Sequence, residues 1–320
     1  MFRVEYENKL SLNKVKTAYQ ELFSKDFDTP WNSLVMKYPD MAKALPKGMK
    51  ASDLLTAPFE KLVDVYFRFE KVKKKLSGKE IEDRKNLAEK IFSYGSYSKK
   101  IAKFFMDATY GFEVYNCYYC ELENIRAYVD DQGITRHLFE IEHVLDKGTC
   151  PMLSLSLFNF VPSCGHCNSQ DVKGNHTIGD TVSEIKRLSP TVGSYDFEHK
   201  VIFVINAQQS QFSDLRMTDH PDDFEISFFY LDPLYKKSVD LFKLHARYNG
   251  EPYKSQLLNI REKRNNYPDN AISEIAKISH RSYDEVMKEL FEIDVCEKNH
   301  WPMNKAKHDV VINCFMPVIP

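Results

Sequence analysis

The sequence predicts an α+β protein with three consecutive regions. Helical periodicity dominates residues 1–110, while two Cys-x-x-Cys pairs and short strand-like runs occupy residues 111–178. Residues 179–320 mix strand candidates with further helices. The chain has 320 residues, 43% of them hydrophobic, which is enough to bury a substantial core. We therefore expect a small cysteine-rich core flanked by a helical N-terminal region and a mixed, mainly helical C-terminal region.

Charge and hydropathy indicate how this protein can bind nucleic acid and whether it enters a membrane. The formal net charge is −2, so any nucleic-acid binding must come from a local basic patch. The sequence contains no apolar run of the roughly 18 residues that a membrane helix needs. The N-terminal stretch MFRVEYENKLSLNKVK lacks the apolar core of a secretory signal. These observations predict a cytoplasmic protein that does not insert into a membrane.

The N-terminal region is predicted to contain four helices. Their predicted ranges are 11–24, 57–76, 79–92 and 98–109. Pro58 suits a first helical turn, and Gly78 suits a helix end. Lysine and arginine residues between positions 71 and 103 make this region locally basic. Two interpretations stay open: a solvated helix face, or a surface that contacts phosphates.

The middle region contains the strongest chemical signal. Four of the seven cysteines form two pairs, Cys117 with Cys120 and Cys164 with Cys167. Each pair directs two thiolates toward one point, so both pairs together predict a closed tetrahedral site for a structural Zn²⁺. The odd number of cysteines argues against a disulfide framework. The remaining three are expected to be small buried residues: Cys150, Cys296 and Cys314.

The segment between the two cysteine pairs is predicted to fold as two strands. Residues 130–133 form a turn, residues 134–144 a strand that arrives at His143, and residues 159–164 a second strand. The second cysteine pair then opens a helix. This arrangement would hold four polar side chains close together: Glu142, His143, Asn159 and Asn168.

The C-terminal region is predicted to begin with a short helix and two strands. The helix covers 180–188, and the strands cover 200–207 and 223–231. Helices follow at 236–248, 255–265, 270–278 and 282–291, with Ser282 and Glu285 as a capping box. Residues 296–320 carry no assignable pattern.

The residues of the middle region resemble those of the HNH endonucleases, the ββα-metal nuclease superfamily. The acid–histidine pair, an Asn sixteen residues later and an Asn nine residues after that are similar to the zinc-stapled branch of this family. The resemblance covers residues 115–176. It implies a zinc-stapled ββα-metal core that hydrolyses phosphodiester bonds.

The resemblance also implies roles for individual residues. His143 would be the general base, Asn159 would orient it, and Glu142 with Asn168 would bind a catalytic Mg²⁺ or Mn²⁺. Family members more often have Asp where this chain has Glu142. Lys173 is a candidate phosphate contact. Three other histidines are expected to have ordinary surface or structural roles: His137, His166 and His176.

A weaker resemblance connects the flanking regions with stand-alone HNH nucleases of phage defence, such as those of Septu-type systems. It implies DNA as the substrate and an ATPase as a partner protein. Two alternatives stay open. The first is a nuclease that acts on RNA, for example transfer RNA, because phosphate contacts carry no base information. The second is a non-catalytic zinc module that binds nucleic acid or protein.

Overall fold

The computed structural model describes residues 1–112, 114–207, 221–294 and 301–313. Helices and three small antiparallel sheets make up these residues, which confirms the predicted α+β class. The chain divides into two compact units. The N-terminal unit comprises Arg3–Val114 and Ile125–Tyr195, and the C-terminal unit comprises Met1–Phe2, Tyr115–Asn124 and Asp196–Pro320.

The N-terminal unit begins with five helices. They are α1 (Leu12–Gln20), α2 (Asp28–Lys37), α3 (Phe59–Lys73), α4 (Gly78–Ile91) and α5 (Tyr94–Met106). The four predicted helices are thus confirmed, with ends displaced by a few residues. Helix α2 was not predicted, because only Trp31 and Leu34 of its residues are buried and Pro30 interrupts the pattern. The side chain of Ser77 and that of Glu80 form a capping box that fixes the start of α4.

A hairpin follows the first cysteine pair. It joins β1 (Ala127–Val129) to β2 (Thr135–His137) in antiparallel register. The predicted turn at 130–133 is confirmed. In it, the Asp130 carboxylate accepts hydrogen bonds from the backbone N–H groups of Gln132 and Ile134, and Gly133 has a φ of +74°.

A second antiparallel pair contains the candidate site. It consists of β3 (Glu140–His143) and β4 (Phe160–Ser163), and the short helix α6 (Gly165–Asn168) follows directly. The predicted strand over 134–144 is therefore two strands, β2 and β3. The chain bends between them because β2 pairs with β1 whereas β3 pairs with β4.

The register of this second pair decides where the side chains of the candidate site lie. Glu142 is opposite Val161, and His143 is opposite Phe160. Since side chains alternate along a strand, Glu140 and Glu142 share one face, whereas His143 lies on the other. Helix α7 (Val182–Leu188) completes the N-terminal unit and confirms the helix predicted at 180–188.

The described part of the C-terminal unit forms the remaining helices and one sheet. Its elements are α8 (Phe197–Lys200), β5 (Val201–Ala207), β6 (Phe224–Tyr230), α9 (Lys236–Leu241), α10 (Leu244–Tyr248), α11 (Tyr253–Asn266), α12 (Asp269–Ser279), α13 (Tyr283–Phe291) and α14 (Asn304–Asn313). The two predicted strands are confirmed as β5 and β6, and the structure pairs them antiparallel. The predicted helix 236–248 is two helices, since Lys243 has a φ of +54° at the break.

The capping box at Ser282 is confirmed, and it begins helix α13. Helix α14 lies in the stretch 296–320, whose sequence pattern was not assignable, while residues 295–300 and 314–320 are outside the described residues. Cys296 and Cys314 also fall outside them. One hydrophobic cluster of this unit includes Ile272, Val286, Phe291 and Val311.

Candidate functional site

The four paired cysteines lie together. The sulfur atoms of Cys117, Cys120, Cys164 and Cys167 are all within 4.8 Å of one another, and all four residues are buried. Thiolates about 2.3 Å from a zinc ion stand roughly 3.8 Å apart in a tetrahedron, so this cluster has a suitable size and ligand chemistry. The cluster is a candidate metal site, as the spacing of the cysteines predicts.

Local contacts hold both cysteine turns. The Cys164 sulfur accepts a hydrogen bond from the backbone N–H of Cys167 at 3.4 Å, at the start of α6. In the other turn, the Tyr248 hydroxyl donates to the Cys120 carbonyl at 2.8 Å, and the Arg247 guanidinium lies 3.4 Å from the Cys120 sulfur. A cation beside a sulfur favours its thiolate form, which is the form that binds metals.

Glu142 forms a buried ion pair with Lys173. The Lys173 Nζ lies 2.9 Å from the Glu142 Oε1, and the two side chains are 0% and 2% exposed. The same ammonium donates to the carbonyl oxygen of His143 at 3.3 Å. The candidate phosphate contact is therefore an internal side chain in this structure, and it neutralises the carboxylate that was expected to bind the catalytic ion.

His143 lies against aromatic rings and is almost fully buried. Its ring meets those of Tyr94 and Phe160 edge-to-face, with centroids 4.7 Å and 5.0 Å away. Burial, together with the positive charges of Lys147 and Lys173, lowers the pKa of His143 from 6.5 to about 3. The imidazole is therefore neutral near pH 7.

The hydrogen bonding of His143 defines its tautomer. Its Nε2 lies 3.0 Å from the carbonyl oxygen of Ser154. A carbonyl oxygen can only accept a hydrogen bond, so the ring proton is assigned to Nε2. This assignment makes Nδ1 the basic nitrogen.

Asn159 fastens the loop that follows His143. Its Oδ1 accepts from the backbone N–H of Leu145 at 2.7 Å, and its Nδ2 donates to the carbonyls of Leu145 and Leu153. These side-chain hydrogen bonds go to the backbone of the loop rather than to the imidazole. The loop that Asn159 binds also contains Ser154, whose carbonyl contacts His143.

Asn168 contacts a carboxylate that the sequence analysis did not single out. Its Nδ2 donates to the Oε2 of Glu140 at 2.7 Å. Glu140 lies two residues before Glu142 and on the same face of β3. The sequence offered one signal for this second carboxylate. In the segment EIEH the two glutamates are two residues apart, which places them on the same face of a strand.

Two further residues beside His143 were also not anticipated. Tyr94 opens α5, and burial together with the charge of Glu140 raises the pKa of its hydroxyl to about 12. The exposed Lys147 places its Nζ 4.8 Å from the centroid of the Tyr94 ring. Tyr94 comes from a helix whose local pattern indicated no site, whereas Lys147 lies in the predicted segment but was not singled out.

The three other histidines near the cysteine pairs are all exposed. They are His137, His166 and His176. Their exposure is consistent with the surface roles expected for them.

Comparison with family models, curated proteins and solved structures finds no significant match to this chain. Among the described residues, no helix has the length and apolar character required to cross a bilayer. The assignment of a function therefore depends on the chemistry of the site.

Proposed function

We propose that this protein is a metal-dependent HNH-type endonuclease that hydrolyses phosphodiester bonds in DNA. The observation that carries the proposal is the antiparallel β3–β4 pair followed directly by α6, which is the strand–strand–helix order expected of such a core, with Glu142 and His143 on β3 and Asn168 at the end of α6. The cluster of four cysteines supports the same assignment, because so small a module needs a metal to fold.

The base in this proposal is His143. Its imidazole is neutral, and its proton is held at Nε2 by the Ser154 carbonyl, which leaves Nδ1 to take a proton from an attacking water. The lowered pKa keeps the ring in this form across the physiological pH range. The Asn159 side chain maintains the loop geometry on which the Ser154 contact depends.

The β3 carboxylates and the α6 amide would hold the divalent cation. Glu142, Glu140 and Asn168 offer oxygen atoms on or beside one face of β3, and oxygen is the ligand that Mg²⁺ and Mn²⁺ prefer. A bound divalent cation supplies charge neutralisation for the phosphate and its leaving oxygen. Binding at Glu142 requires the Lys173 ammonium to share or release this carboxylate. The exposed Lys147 is a better candidate than Lys173 for a phosphate contact.

The test is the nicking of supercoiled plasmid with Mg²⁺ or Mn²⁺. Wild type is compared with His143→Ala, and His166→Ala serves as the matched control because His166 is an exposed histidine of α6. We expect nicking by wild type and by His166→Ala, and a loss of at least about 100-fold in His143→Ala, the lower range for removing a general base.

Cleavage at equal rates by His143→Ala would remove that residue from the role of base. Cleavage of transfer RNA but not of plasmid would make the protein a ribonuclease that uses the same residues. Binding of nucleic acid without cleavage of either substrate would favour a non-catalytic zinc module. A role in restriction or phage defence, with an ATPase partner, belongs to this proposal only through the weaker resemblance of the flanking regions.

A further inference from the structure

A groove of about 700 Å³ lies on the N-terminal unit, away from the residues of the candidate site. Helix α3 forms one wall of the groove. Three basic residues line this wall, Arg68 and Lys71 in the helix and Lys75 two residues after its end. They are spaced by three and four residues, which places them along one stripe. Lys43 adds a fourth cation from outside α3. We call these four residues the groove cations.

The groove cations carry charge that the protein does not neutralise. Among the described residues, none of their four side chains forms an ion pair or a side-chain hydrogen bond. The two carboxylates in the groove are already paired elsewhere. Asp40 receives two hydrogen bonds from the Arg84 guanidinium, and Asp64 lies 2.6 Å from the Lys186 Nζ. The groove therefore presents an excess of positive charge.

The groove also has an apolar lining. Phe67, Val72, Leu76 and Val182 contribute to it, and Phe67 is half-buried with its ring available to the groove. Aromatic rings stack on nucleobases whatever the sequence, while lysine and arginine contact phosphates. The combination of unpaired cations and an aromatic side chain is therefore typical of a strand-binding surface.

The length of the stripe matches several phosphates. Arg68 and Lys75 are seven residues apart, which is about 10 Å along a helix axis. The stripe is therefore much longer than the axial rise of about 3.4 Å per nucleotide, so it can contact more than one phosphate of a bound strand.

We propose that this groove binds a nucleic-acid strand at a second site, separate from the residues around His143. The groove cations would contact the phosphates and Phe67 would contact a base. This inference takes from the proposed function only that the ligand is a nucleic acid. Binding in the groove does not require that the protein cleaves it. The stripe lies on the opposite side of α3 from Tyr66, whose hydroxyl lies near Thr149 in the loop after His143. A strand bound here would thus leave the cleavage site accessible.

The experiment measures binding of a fluorescein-labelled 20-nucleotide strand by fluorescence anisotropy, with the full chain and with EDTA to prevent cleavage. The variant carries Arg68→Gln, Lys71→Gln and Lys75→Gln. The matched control carries Lys14→Gln, Lys47→Gln and Lys99→Gln, three exposed lysines of the same unit that do not line the groove. Thermal unfolding of each protein verifies that it is folded.

We expect the groove variant to bind about 30-fold more weakly at 100 mM salt. Its slope of log affinity against log salt should fall by about 2, since each phosphate contact on a single strand contributes about 0.7. The control variant should retain both values within about threefold. A strand with 5-iodouracil should cross-link to the peptide that contains Phe67.

Equal weakening of both variants, or wild type that does not bind the strand, would overturn the groove assignment. If the groove variant does not fold, the cross-linking of wild type tests the groove assignment instead. A cross-link to a peptide that does not line the groove would overturn the assignment. The plasmid assay judges the nuclease proposal separately. Wild type that nicks plasmid but does not bind the strand would refute only the groove assignment, and wild type that binds through the groove cations but does not nick would refute only the nuclease proposal.

Discussion

His143 carries the most specific prediction at the scale of single residues. Burial and the neighbouring lysines lower its pKa from 6.5 to about 3 in the folded protein. Below pH 6.5 the unfolded chain binds a proton at this residue that the folded chain does not bind. The contribution of His143 to the free energy of unfolding is thus fully present above pH 6.5 and is lost as the pH decreases toward 3.

This linkage can be measured by urea unfolding. Between pH 7 and pH 5 the wild type should lose about 2 kcal/mol more than His143→Gln, since each pH unit below 6.5 contributes about 1.4 kcal/mol. The side-chain amide of this variant can donate to the Ser154 carbonyl but does not titrate. If the free energy of unfolding of wild type and of His143→Gln decreases by the same amount, the pKa of His143 is not lowered in the folded protein.

The ion pair of Lys173 with Glu142 gives a second prediction at this scale. Lys173→Met leaves a buried carboxylate without its counter-charge, so the free energy of unfolding should decrease by about 3–5 kcal/mol in metal-free buffer. The double variant with Glu142→Gln should recover most of this loss. Both values come from denaturant unfolding.

Addition of Mn²⁺ distinguishes a metal ligand from a structural carboxylate. Mn²⁺ should stabilise Lys173→Met more than wild type, because the cation replaces the lost positive charge beside Glu142. Equal stabilisation of the two proteins would remove Glu142 from the set of metal ligands.

The cysteine turns matter at the scale of elements. Cys164 begins α6, the helix that follows β4, so the metal site and the candidate active site share an element. Cys164→Ser should lose bound zinc and destabilise the β3–β4–α6 arrangement. The matched control is Cys150→Ser, since Cys150 is buried and burial raises the pKa of its thiol, but it lies outside the cluster.

Zinc content by elemental analysis and the unfolding temperature are the two readouts. Wild type and Cys150→Ser should each contain about one zinc ion per chain. A fully stable Cys164→Ser protein with a full complement of zinc would show that the cluster is not the zinc site.

Helices and strands with a strong local sequence pattern could be predicted from the sequence. Elements whose limits depend on pairing with residues distant in the sequence could not. The broad apolar face of α3 and the β-branched residues of β5 and β6 identified these elements to within two or three residues. The separation of β2 from β3 was not predictable, because different strands pair with each of them. For the site, the cysteine spacing was sufficient to predict the cluster. The pairing of Glu142 with Lys173 joins residues 31 positions apart, and no local pattern encodes it.

At the scale of the whole molecule, the chain crosses between its two units several times. Residues Tyr115–Asn124 belong to the C-terminal unit, although the chain on either side of them belongs to the N-terminal unit. Within the C-terminal unit, the Tyr119 ring stacks on that of Phe242 at 4.1 Å, and the Met303 N–H donates to the Glu121 carbonyl at 2.9 Å. Residues far along the chain thus support the first cysteine turn.

Truncation after Tyr195 tests this dependence. The fragment 1–195 retains all four paired cysteines but lacks Phe242, Tyr248 and Met303. We expect it to contain less than about half of the zinc bound by the full chain, with faster amide exchange at residues 117–121, because the packing that orders this turn is missing. A fragment with full zinc content and unchanged exchange would show that the turn folds without these contacts.

The support of the first cysteine turn by later residues also bears on synthesis. Glu121 is made 182 residues before Met303, its backbone partner. At a translation rate of about 5–20 residues per second, this interval is roughly 10–40 seconds. Once Cys167 has been made, the nascent chain has both cysteine pairs but lacks the packing that holds one of them. Chaperones and metal donors on the ribosome would therefore meet thiols that are still accessible until Met303 has been made and has reached its partner.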